Sequence, residues 1–364
     1  MKKLVSLLLA LCLLMGVAAI AEGGLRVAMI TDYGDITDQS FNQTTYEACQ
    51  AWADANGADF KYYKPASDSD ADRVSSIEQA IEEGYTVIVM PGYAFGNAIK
   101  DTAGTGDYDD ITFIALDVGA GDLGEDFEVP ANLYCAVYQE ELCGYMAGYA
   151  AVKLGYTKLG FLGGMAVPAV VRYGYGFVQG VDTAAAELGL EDVSLNYLYG
   201  NTFGPDPGVK AAMDTWFANG TEVVFACGGG IYISAAEAAA SAGAKIIGVD
   251  VDQAGIIDSA YGEGMTVTSA MKGLAATVNT MLTKVADGSF EGGVIDNLGL
   301  VSAVPEENYV QIAGSTQFAD GFTAEDYAAL VAAMFAGEVE VSSDITVSAA
   351  DNATVITVED QGTL

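Results

Sequence analysis

Residues 25–65, LRVAMITDYGDITDQSFNQTTYEACQAWADANGADFKYYKP, place an amphipathic stretch between two short runs rich in β-branched and aromatic residues. The two runs predict strands, and the apolar spacing of the middle stretch predicts a helix. The alternation continues with DADRVSSIEQAIEEG (70–84), TVIVMPG (86–92) and ITFIALD (111–117). Strands that alternate with helices in this way form a parallel sheet with helices on both faces.

The alternation restarts in the second half of the chain. Near-continuous apolar runs, TKLGFLGG, VSLNYLYG, TEVVFACGGG and AKIIGVDVD, begin at residues 157, 193, 221 and 244. We therefore predict an α/β fold with two Rossmann-like lobes, each built on a parallel sheet, because 364 residues are natural for two cores. Two late strands, MTVTSAMK (265–272) and NLGLVSAV (297–304), are predicted to cross between the lobes around a ligand cleft.

These patterns set the predicted boundaries. Residues 1–21 form a signal peptide, residues 22–134 with about 265–297 form the first lobe, and residues 135–264 with about 298–340 form the second. Residues 341–364 form a polar C-terminal tail to which the sequence assigns no role.

The N-terminal 21 residues have the features of a secretory signal: two lysines, an apolar core and the small-residue ending Ala19-Ile20-Ala21. Cys12 lies inside the apolar core, and Leu11 stands where lipidation of a cysteine needs a small residue. We therefore expect an exported protein, periplasmic or at the cell surface or extracellular, without a lipid anchor.

Composition excludes several classes of function. The formal charge is −36, and such a field repels polymeric nucleic acid, which binds through clustered Lys and Arg. The chain has no histidine, which removes Ser-His-Asp and Cys-His catalysis and His-ligated zinc. Four cysteines follow the signal peptide without a CxxC pair, so we read them as small buried side chains, with one or two disulfides left open.

The acidic stretch 31–43, TDYGDITDQSFNQ, lies directly after the first strand. It does not fit an EF-hand, because acids counted from Asp32 fall at the first, fourth and seventh places and the twelfth residue is Gln43. Ser40-Phe41-Asn42-Gln43 has the form of a helix capping box, so we expect Ser40 or Asp38 to start the next helix. Asp32 and Phe41 remain open between structural roles and ligand binding. We predict no metal and no cofactor.

Polar residues or glycines also follow several other predicted strands. Because ligands bind at the carboxyl ends of parallel strands, these turns are expected to form one cleft shared by both lobes. They are Thr31-Asp32, Pro91-Gly92, Asp117, Gly163-Gly164, Gly228-Gly229-Gly230 and Asp250.

Six segments together resemble the basic membrane protein family: TDYGDITDQSFNQ (31–43), ALD (115–117), YGNTFGPDP (199–207), ACGGG (226–230), IGVDVDQAG (247–255) and TSAMK (268–272). Its members are extracytoplasmic solute-binding proteins of ABC importers, and purine nucleoside receptors are among them. The resemblance extends from about residue 25 to about residue 340. It implies a type I periplasmic-binding fold, a nucleoside, expected to be a purine nucleoside, as the ligand, an ABC permease in the membrane as the partner, and a monomer.

The resemblance also implies roles for nine residues. Phe41 and Phe203 match the two rings that sandwich the base, and Asp32 and Asp117 match acids that we assign to donors on its edge. Asp250 and Lys272 match the pair that holds the ribose hydroxyls. Backbone at Gly228 and Gly229 is expected to help, and Asn42 is a further candidate. The segment CGGGIY (227–232) departs from the more usual AGGTG of the family. The resemblance therefore predicts less about the part of the cleft that this segment forms.

Two other functions stay open from the sequence. A sugar-binding protein of the same fold also uses aromatic and acidic residues, and a sensor subunit presents the same closed form to a membrane receptor. An enzyme is not expected: the glycines of residues 228–230 lack the G-x-G-x-x-G order of a nicotinamide site. A nucleoside hydrolase with clustered aspartates would release free base.

Overall fold

Two mainly parallel sheets form the framework of a computed structural model that describes residues 24–124 and 126–364. The predicted signal peptide, residues 1–21, lies outside the described residues. The segment of the first sheet contains β1 (Arg26–Ile30), α1 (Phe41–Asn56), β2 (Asp59–Tyr63), α2 (Asp70–Glu82), β3 (Val87–Pro91), α3 (Gly96–Lys100), β4 (Thr112–Leu116), α4 (Ala120–Leu123) and β5 (Leu133–Tyr138).

The chain then enters the second sheet. This segment contains α5 (Glu140–Lys153), β6 (Lys158–Gly163), α6 (Pro168–Leu188), β7 (Ser194–Tyr199), α7 (Pro207–Ala218), β8 (Val223–Cys227), α8 (Tyr232–Ala242), β9 (Lys245–Asp250), α9 (Ala254–Tyr261) and β10 (Thr266–Lys272). The last elements are α10 (Leu274–Asp287), β11 (Val294–Leu298), β12 (Val310–Ile312), α11 (Ala324–Phe335) and β13 (Thr357–Thr363).

The strand order is β11-β5-β4-β3-β1-β2 in the first sheet and β12-β10-β9-β8-β6-β7-β13 in the second. Among the described strands, only the pairing of β10 with β12 is antiparallel. Every residue of β3 and β8 is buried, as expected for central parallel strands with helices on both faces. The predicted α/β class with parallel sheets is confirmed.

Three connections pass between the sheets: from β5 to α5, from β10 through α10 to β11, and from β11 to β12. Helix α10 returns to the first lobe, where Trp52 Nε1 donates to Thr283 Oγ1 at 3.0 Å. Beside these connections, Gln139 N donates to the carbonyl of Leu298 at 2.9 Å. The crossings therefore lie side by side, where a hinge between two lobes is expected.

The predicted boundaries differ from the sheets in three places, two of them at strands β5 and β10 and the third in the C-terminal segment. The division between residues 134 and 135 cuts β5, which pairs with β4 in the first sheet. Strand β10, which we placed in the first lobe, pairs with β9 in the second, so the chain crosses after Lys272. Both strands are almost entirely buried, and a local pattern does not say which sheet receives them. With these changes the two-lobe division remains a proposal.

The predicted late strand 297–304 is displaced, since β11 ends at Leu298. The following loop is held by Asn308, whose Oδ1 accepts from the backbone of Val301 at 2.7 Å and Ser302 at 2.8 Å. These side-chain bonds replace a strand ladder. The strand therefore ends where the loop begins.

The C-terminal segment is part of the second lobe. Strand β13 pairs in parallel with β7 and forms the edge of the sheet. Just before it, the carboxylate of Asp182 accepts hydrogen bonds from the backbone of Thr354, Val355 and Ile356 at 2.6–3.0 Å. A Thr/Val-rich sequence without a flanking helix gave no signal for this pairing.

All four cysteines after the predicted signal peptide are buried and unpaired in the structure: Cys49, Cys135, Cys143 and Cys227. Burial raises the pKa of each thiol. They act as small core side chains. In the part of the chain that the structure describes, no helix combines the length and the apolar character needed to cross a bilayer.

Candidate functional site

A cleft of about 730 Å³ lies between the two sheets and is lined by turns that follow their strands. This is where open parallel sheets bind ligands. Its walls include all nine residues that the sequence singles out: Asp32, Phe41, Asn42, Asp117, Phe203, Gly228, Gly229, Asp250 and Lys272. The structure therefore brings the whole predicted set together, although it does not test the role of any member.

One group of polar residues in the cleft presents acceptors from the first lobe. Asp32 is buried after β1, and its Oδ1 accepts from the backbone of Tyr33 at 2.6 Å and of Gly34 at 2.7 Å. Burial raises the pKa of Asp32, and these hydrogen bonds oppose that effect. Asn42 is also buried, and its Oδ1 has no hydrogen-bond partner among the described residues. A ligand with donors on its edge would satisfy these acceptors.

The first turn of α1 corrects the predicted capping box. Asp38, not Ser40, caps the helix: its carboxylate accepts from the backbone of Ser40 at 3.0 Å, Asn42 at 2.9 Å and Gln43 at 3.1 Å. The hydroxyl of Ser40 instead donates to Asp250 Oδ2 at 2.5 Å. An aspartate two residues upstream reaches the same N–H groups, which leaves the serine free to bond across the cleft.

A second group of polar residues in the cleft is a buried ionic cluster centred on Lys272, the last residue of β10. Its Nζ lies 2.5 Å from Asp117 Oδ2, 3.4 Å from Glu140 Oε1 and 3.7 Å from Asp250 Oδ1. The ammonium also lies 4.9 Å from the centre of the Phe41 ring. Asp117 was assigned to the base edge with Asp32, but the structure groups it with Lys272 and Asp250.

These neighbours shift the proton equilibria of the cluster. Burial lowers the pKa of Lys272, but the charges of Asp117, Asp250 and Glu140 outweigh burial, so the pKa lies above its ordinary value. Burial raises the pKa of Asp117 to about 6, with Lys272 opposing. Asp117 Oδ1 has no hydrogen-bond partner in the described chain. The cluster therefore holds a permanent cation and an acceptor that is available to a ligand hydroxyl.

Asp117 and Asp250 occupy equivalent places in the two lobes. Asp117 follows β4 and Asp250 ends β9, and both have left-handed backbones, with φ of 58° and 65°. Residues other than glycine adopt this conformation at a cost, and such positions concentrate at ligand sites. The strained turns direct two carboxylates to one lysine from opposite lobes.

Phe203 lies against a glycine surface in the second lobe. A Cβ added at Gly164 would lie 2.4 Å from Cδ1 of the Phe203 ring, and one at Gly228 would lie 2.8 Å from the same atom. Gly230 N donates to the Phe203 carbonyl at 2.8 Å. The glycine run therefore seats the ring, and a contact between the backbone of Gly228 and Gly229 and the ligand stays a prediction. The sequence gave no indication of Gly164 as part of this seat.

Sequence reasoning missed Glu140 and Arg172. Glu140 is fully buried and lies between Lys272 and Arg172, whose Nε donates to Glu140 Oε2 at 2.6 Å. Arg172 lines the cleft from α6. A glutamate in the first turn of a helix usually interacts with the helix dipole, so its sequence position gave no reason to single it out.

Ile345 is a further missed residue, and it comes from the C-terminal segment. That segment lies along α6: Tyr175 OH donates to the carbonyl of Val347 at 2.8 Å, and Gln179 and Ser342 exchange two hydrogen bonds of 2.8 and 3.0 Å. Ile345 is 36% exposed at the cleft. No local signal links this position to strand ends that lie 73 to 315 residues earlier in the chain.

The arrangement suits reversible binding of an uncharged polar solute with a flat ring. Aromatic side chains from both lobes supply stacking faces, and carboxylates with one lysine supply hydrogen bonds to donors and hydroxyls. Arg172 and Lys272 are both paired with Glu140, so neither offers an unopposed charge to an anion.

Proteins of known family resemble the chain over most of its length. Residues 25–313 match the family described as "Bmp: ABC transporter substrate-binding protein PnrA-like". The ABC transporter nucleoside-binding protein BmpA of Lactococcus lactis is 26% identical over 332 residues, which cover 84% of this chain and 90% of that protein. Basic membrane protein A1 of Borrelia garinii is 26% identical over 314 residues, covering 84% and 87%.

The fold resembles solved solute-binding proteins of ABC transporter systems. The crystal structure from Aeropyrum pernix has a TM-score of 0.67 at 22% identity and covers 88% of both chains. The protein from Conexibacter woesei has the same TM-score and identity and covers 88% of this chain and 99% of that one. At this identity the likeness concerns the fold alone, and it confirms the predicted type I architecture.

Proposed function

The chain belongs to the PnrA-like family of ABC transporter substrate-binding proteins, and from this premise we propose that it binds a nucleoside, specifically a purine nucleoside, and delivers it to a membrane permease. The family binds solutes and is not a family of enzymes. The observation that carries the proposal is the cleft itself, which combines Phe41 and Phe203 from different lobes with the Asp117–Lys272–Asp250 cluster.

The division of polar groups within the cleft supports a ligand with two chemically different ends. Asp32 and Asn42 offer acceptors to a base edge that carries N–H donors. Asp117, Asp250 and Lys272 offer acceptors and a donor to vicinal hydroxyls, as a ribose presents them. This proposal assigns Asp117 to the ribose hydroxyls and not to the base edge, because Lys272 Nζ lies 2.5 Å from its carboxylate.

The energetics favour affinity in the submicromolar to micromolar range. Each stacked face contributes roughly 1–3 kcal/mol, and each hydrogen bond to a charged group about 1.5–3 kcal/mol. Their sum exceeds the roughly 8 kcal/mol of micromolar binding, and losses of rigid-body freedom and lobe closure consume much of the excess.

Nucleotides should bind poorly, because a phosphate would enter a cleft rich in carboxylates. Arg172 does not change this expectation, since its Nε already donates to Glu140 at 2.6 Å. Removing that bond to bind phosphate would leave a buried carboxylate with one cation fewer, which is unfavourable. We propose a preference for the uncharged nucleoside over its 5′-phosphate of at least tenfold.

The cellular location follows from the family, because its members are extracytoplasmic proteins of ABC importers. We further propose that this protein is exported by residues 1–21, remains without a lipid anchor and acts as a monomer. The alternative to delivery of the ligand to a permease is a sensor subunit that presents the closed form to a receptor. Uptake of radiolabelled nucleoside by cells with and without the gene separates transport from sensing.

The test of ligand identity is a thermal-shift panel with calorimetry on each hit. The panel contains adenosine, guanosine, inosine, uridine, free bases, nucleotides, riboflavin, ribose and galactose. We expect purine nucleosides to bind, and Phe41→Ala or Asp250→Asn to abolish the signal. Phe335→Ala is the matched control, because that ring is 48% exposed and lies outside the cleft.

Binding of sugars without nucleosides would replace the proposal with a sugar-binding function. Binding of nucleosides that survives Phe41→Ala would remove the stacking role. Release of free base from a bound nucleoside would contradict a pure binding function.

A further inference from the structure

Two hydrogen bonds cross from one lobe to the other at the start of α1. Gln253 Nε2 donates to the carbonyl of Gln39 at 3.0 Å, and Ser40 Oγ donates to Asp250 Oδ2 at 2.5 Å. Gln39 and Ser40 precede α1 of the first lobe, whereas Asp250 and Gln253 lie between β9 and α9 of the second. The bonds therefore join the backbone just before Phe41 to the turn that carries Asp250.

Gln253 is oriented for this contact by bonds within its own lobe. Its side chain is almost fully buried, and Oε1 accepts from Val249 N at 2.9 Å. Because a backbone N–H can only donate, this bond fixes which end of the amide is oxygen and directs Nε2 to the first lobe. The absence of a side chain at Gly248 leaves room for the amide of Gln253, since a Cβ at residue 248 would lie 2.8 Å from Gln253 Oε1.

The turn at Gln39, whose carbonyl accepts the bond from Gln253, also has an unusual backbone conformation. Gln39 has a left-handed backbone with φ of 57°, a conformation that is costly for a residue with a side chain. Its N–H donates to Gln43 Oε1 at 3.1 Å, and its carbonyl accepts from Gln253. The second lobe thus supplies one of the two bonds that offset the strain of this turn.

Neither Ser40 nor Gln253 lines the cleft, although both bond to residues that do. Ser40 occupies one oxygen of Asp250 and leaves the other, Oδ1, facing Lys272 at 3.7 Å. A bond of this kind fixes the orientation of a carboxylate without occupying the ligand space.

We propose that Gln253 and Ser40 form an interlobe latch, a pair of positioning residues that hold the cleft closed and orient Asp250 and the Phe41 turn without touching the ligand. The proposal rests on the proposed function in that a solute is taken up between closing lobes. Part of the closing free energy then comes from lobe-to-lobe contacts. Removal of the latch should therefore accelerate ligand dissociation, and association should not become slower, because the latch does not touch the ligand and its loss also raises the open population of the ligand-free protein.

The sharpest variant is Gln253→Glu, studied at pH 8. It keeps the shape of the side chain and the acceptor for Val249 N, but it places a carboxylate oxygen against the Gln39 carbonyl. Ser40→Ala removes the second bond. The matched control is Gln317→Glu, whose amide donates to the carbonyls of Gly264 and Thr266 at 2.8 Å entirely within the second lobe.

Stopped-flow kinetics with adenosine and guanosine measure both rate constants, and small-angle X-ray scattering of the ligand-free proteins measures the closed population. We expect about tenfold faster dissociation in each latch variant, which corresponds to about 1.4 kcal/mol, with association unchanged or faster. The ligand-free latch variants should scatter as more open particles than the wild type, and the Gln317 variant should match the wild type in both measurements.

Unchanged dissociation and unchanged scattering in both latch variants would overturn the proposal. An equal effect in Gln317→Glu would also overturn it, because general destabilisation would then explain the result. If the wild type binds no nucleoside, the proposed function fails separately, and the ligand-free scattering still decides whether the latch exists.

Discussion

Lys272 and Asp117 meet across the cleft: Nζ lies 2.5 Å from Oδ2, although the lysine ends a strand of the second sheet and the aspartate follows a strand of the first. Both side chains are largely buried, with 3% and 11% exposed. A buried ion pair is favourable only when further hydrogen bonds satisfy it. Asp117 Oδ1 lacks such a partner in the described chain. We propose that a ligand hydroxyl completes the pair, which would couple closure of the lobes to binding.

Lys272→Met should abolish nucleoside binding. The substitution leaves the carboxylates of Asp117, Glu140 and Asp250 together without their shared cation, and breaking a buried pair from one side costs about 3–5 kcal/mol. Calorimetry should show at least a hundredfold loss of affinity.

The matched control for that variant is Lys210→Met. Lys210 pairs with Asp214 at 2.9 Å within one helix on the surface, so its loss should leave affinity unchanged. Retention of wild-type affinity in Lys272→Met would show that the cluster does not contact the ligand.

Glu141→Gln should stabilise the ligand-free protein at alkaline pH. Burial raises the pKa of Glu141 from 4.5 to about 7, with Glu140 adding to the effect and Arg172 opposing it. Between these pH values the folded state keeps a proton that the unfolded state has released. Its contribution to the free energy of unfolding therefore falls as pH rises through this window. The variant should gain on the order of 3 kcal/mol at pH 8 and nothing below pH 4.5.

Urea unfolding at pH 4.5 and pH 8 measures this difference. Glu187→Gln is a control of opposite sign: burial tends to raise the pKa of Glu187, but hydrogen bonds from Lys153 and Tyr149 lower it. That variant should be slightly less stable than the wild type at pH 8. A Glu141 variant with equal changes at both pH values would contradict the assignment of a buried, ionised carboxylate.

Gly164→Ala should weaken binding without unfolding the protein. The added methyl would lie 2.4 Å from the Phe203 ring, so the ring must leave its seat. Loss of one stacking face costs about 1–3 kcal/mol, which predicts roughly tenfold to hundredfold weaker binding by calorimetry.

Gly204→Ala is the matched control beside the same ring, because a methyl there meets only Thr202 Oγ1 at 4.0 Å. Equal losses in the two variants would mean that the loop tolerates no side chain, and the seat of Phe203 would lose its support. The melting temperature of each ligand-free variant separates a displaced ring from a misfolded lobe.

The sequence predicts those features that depend on local pattern. Alternating strands and helices indicate parallel sheets, and the rule that ligands bind at strand ends brings Asp32, Asp117 and Asp250 to one cleft before any coordinates are considered. Phe203 and Lys272 needed the family resemblance, because a phenylalanine in a loop and a lysine at the end of a strand have common structural roles.

Long-range pairing accounts for what the sequence does not predict. The choice of sheet by β10, the addition of β13 to β7 and the burial of Glu140 beside Lys272 all depend on contacts between distant segments. Ser40 shows that a local motif can also mislead about contacts within a few residues. Its capping motif was clear, but Asp38 competes for the same N–H groups and the hydroxyl bonds to Asp250 instead.

Ile345→Ser should weaken nucleoside binding, although this residue lies outside the matched family region of residues 25–313. Ile345 lines the cleft from a segment held to α6 by Tyr175 and Gln179. A ligand that covers part of this side chain removes apolar surface from water. Burial of apolar surface contributes roughly 25 cal/mol per Å², so the polar substitution should weaken binding several-fold by calorimetry.

Val347→Ser provides the control in the same segment. Val347 is also 36% exposed but does not line the cleft, so an equivalent change in polarity there should leave affinity unchanged. Its backbone carbonyl keeps the bond from Tyr175, which preserves the path of the segment in both variants. Equal affinities for the wild type and Ile345→Ser would mean that the bound ligand stops short of the C-terminal segment, and the working cleft would then be confined to the turns after the strands.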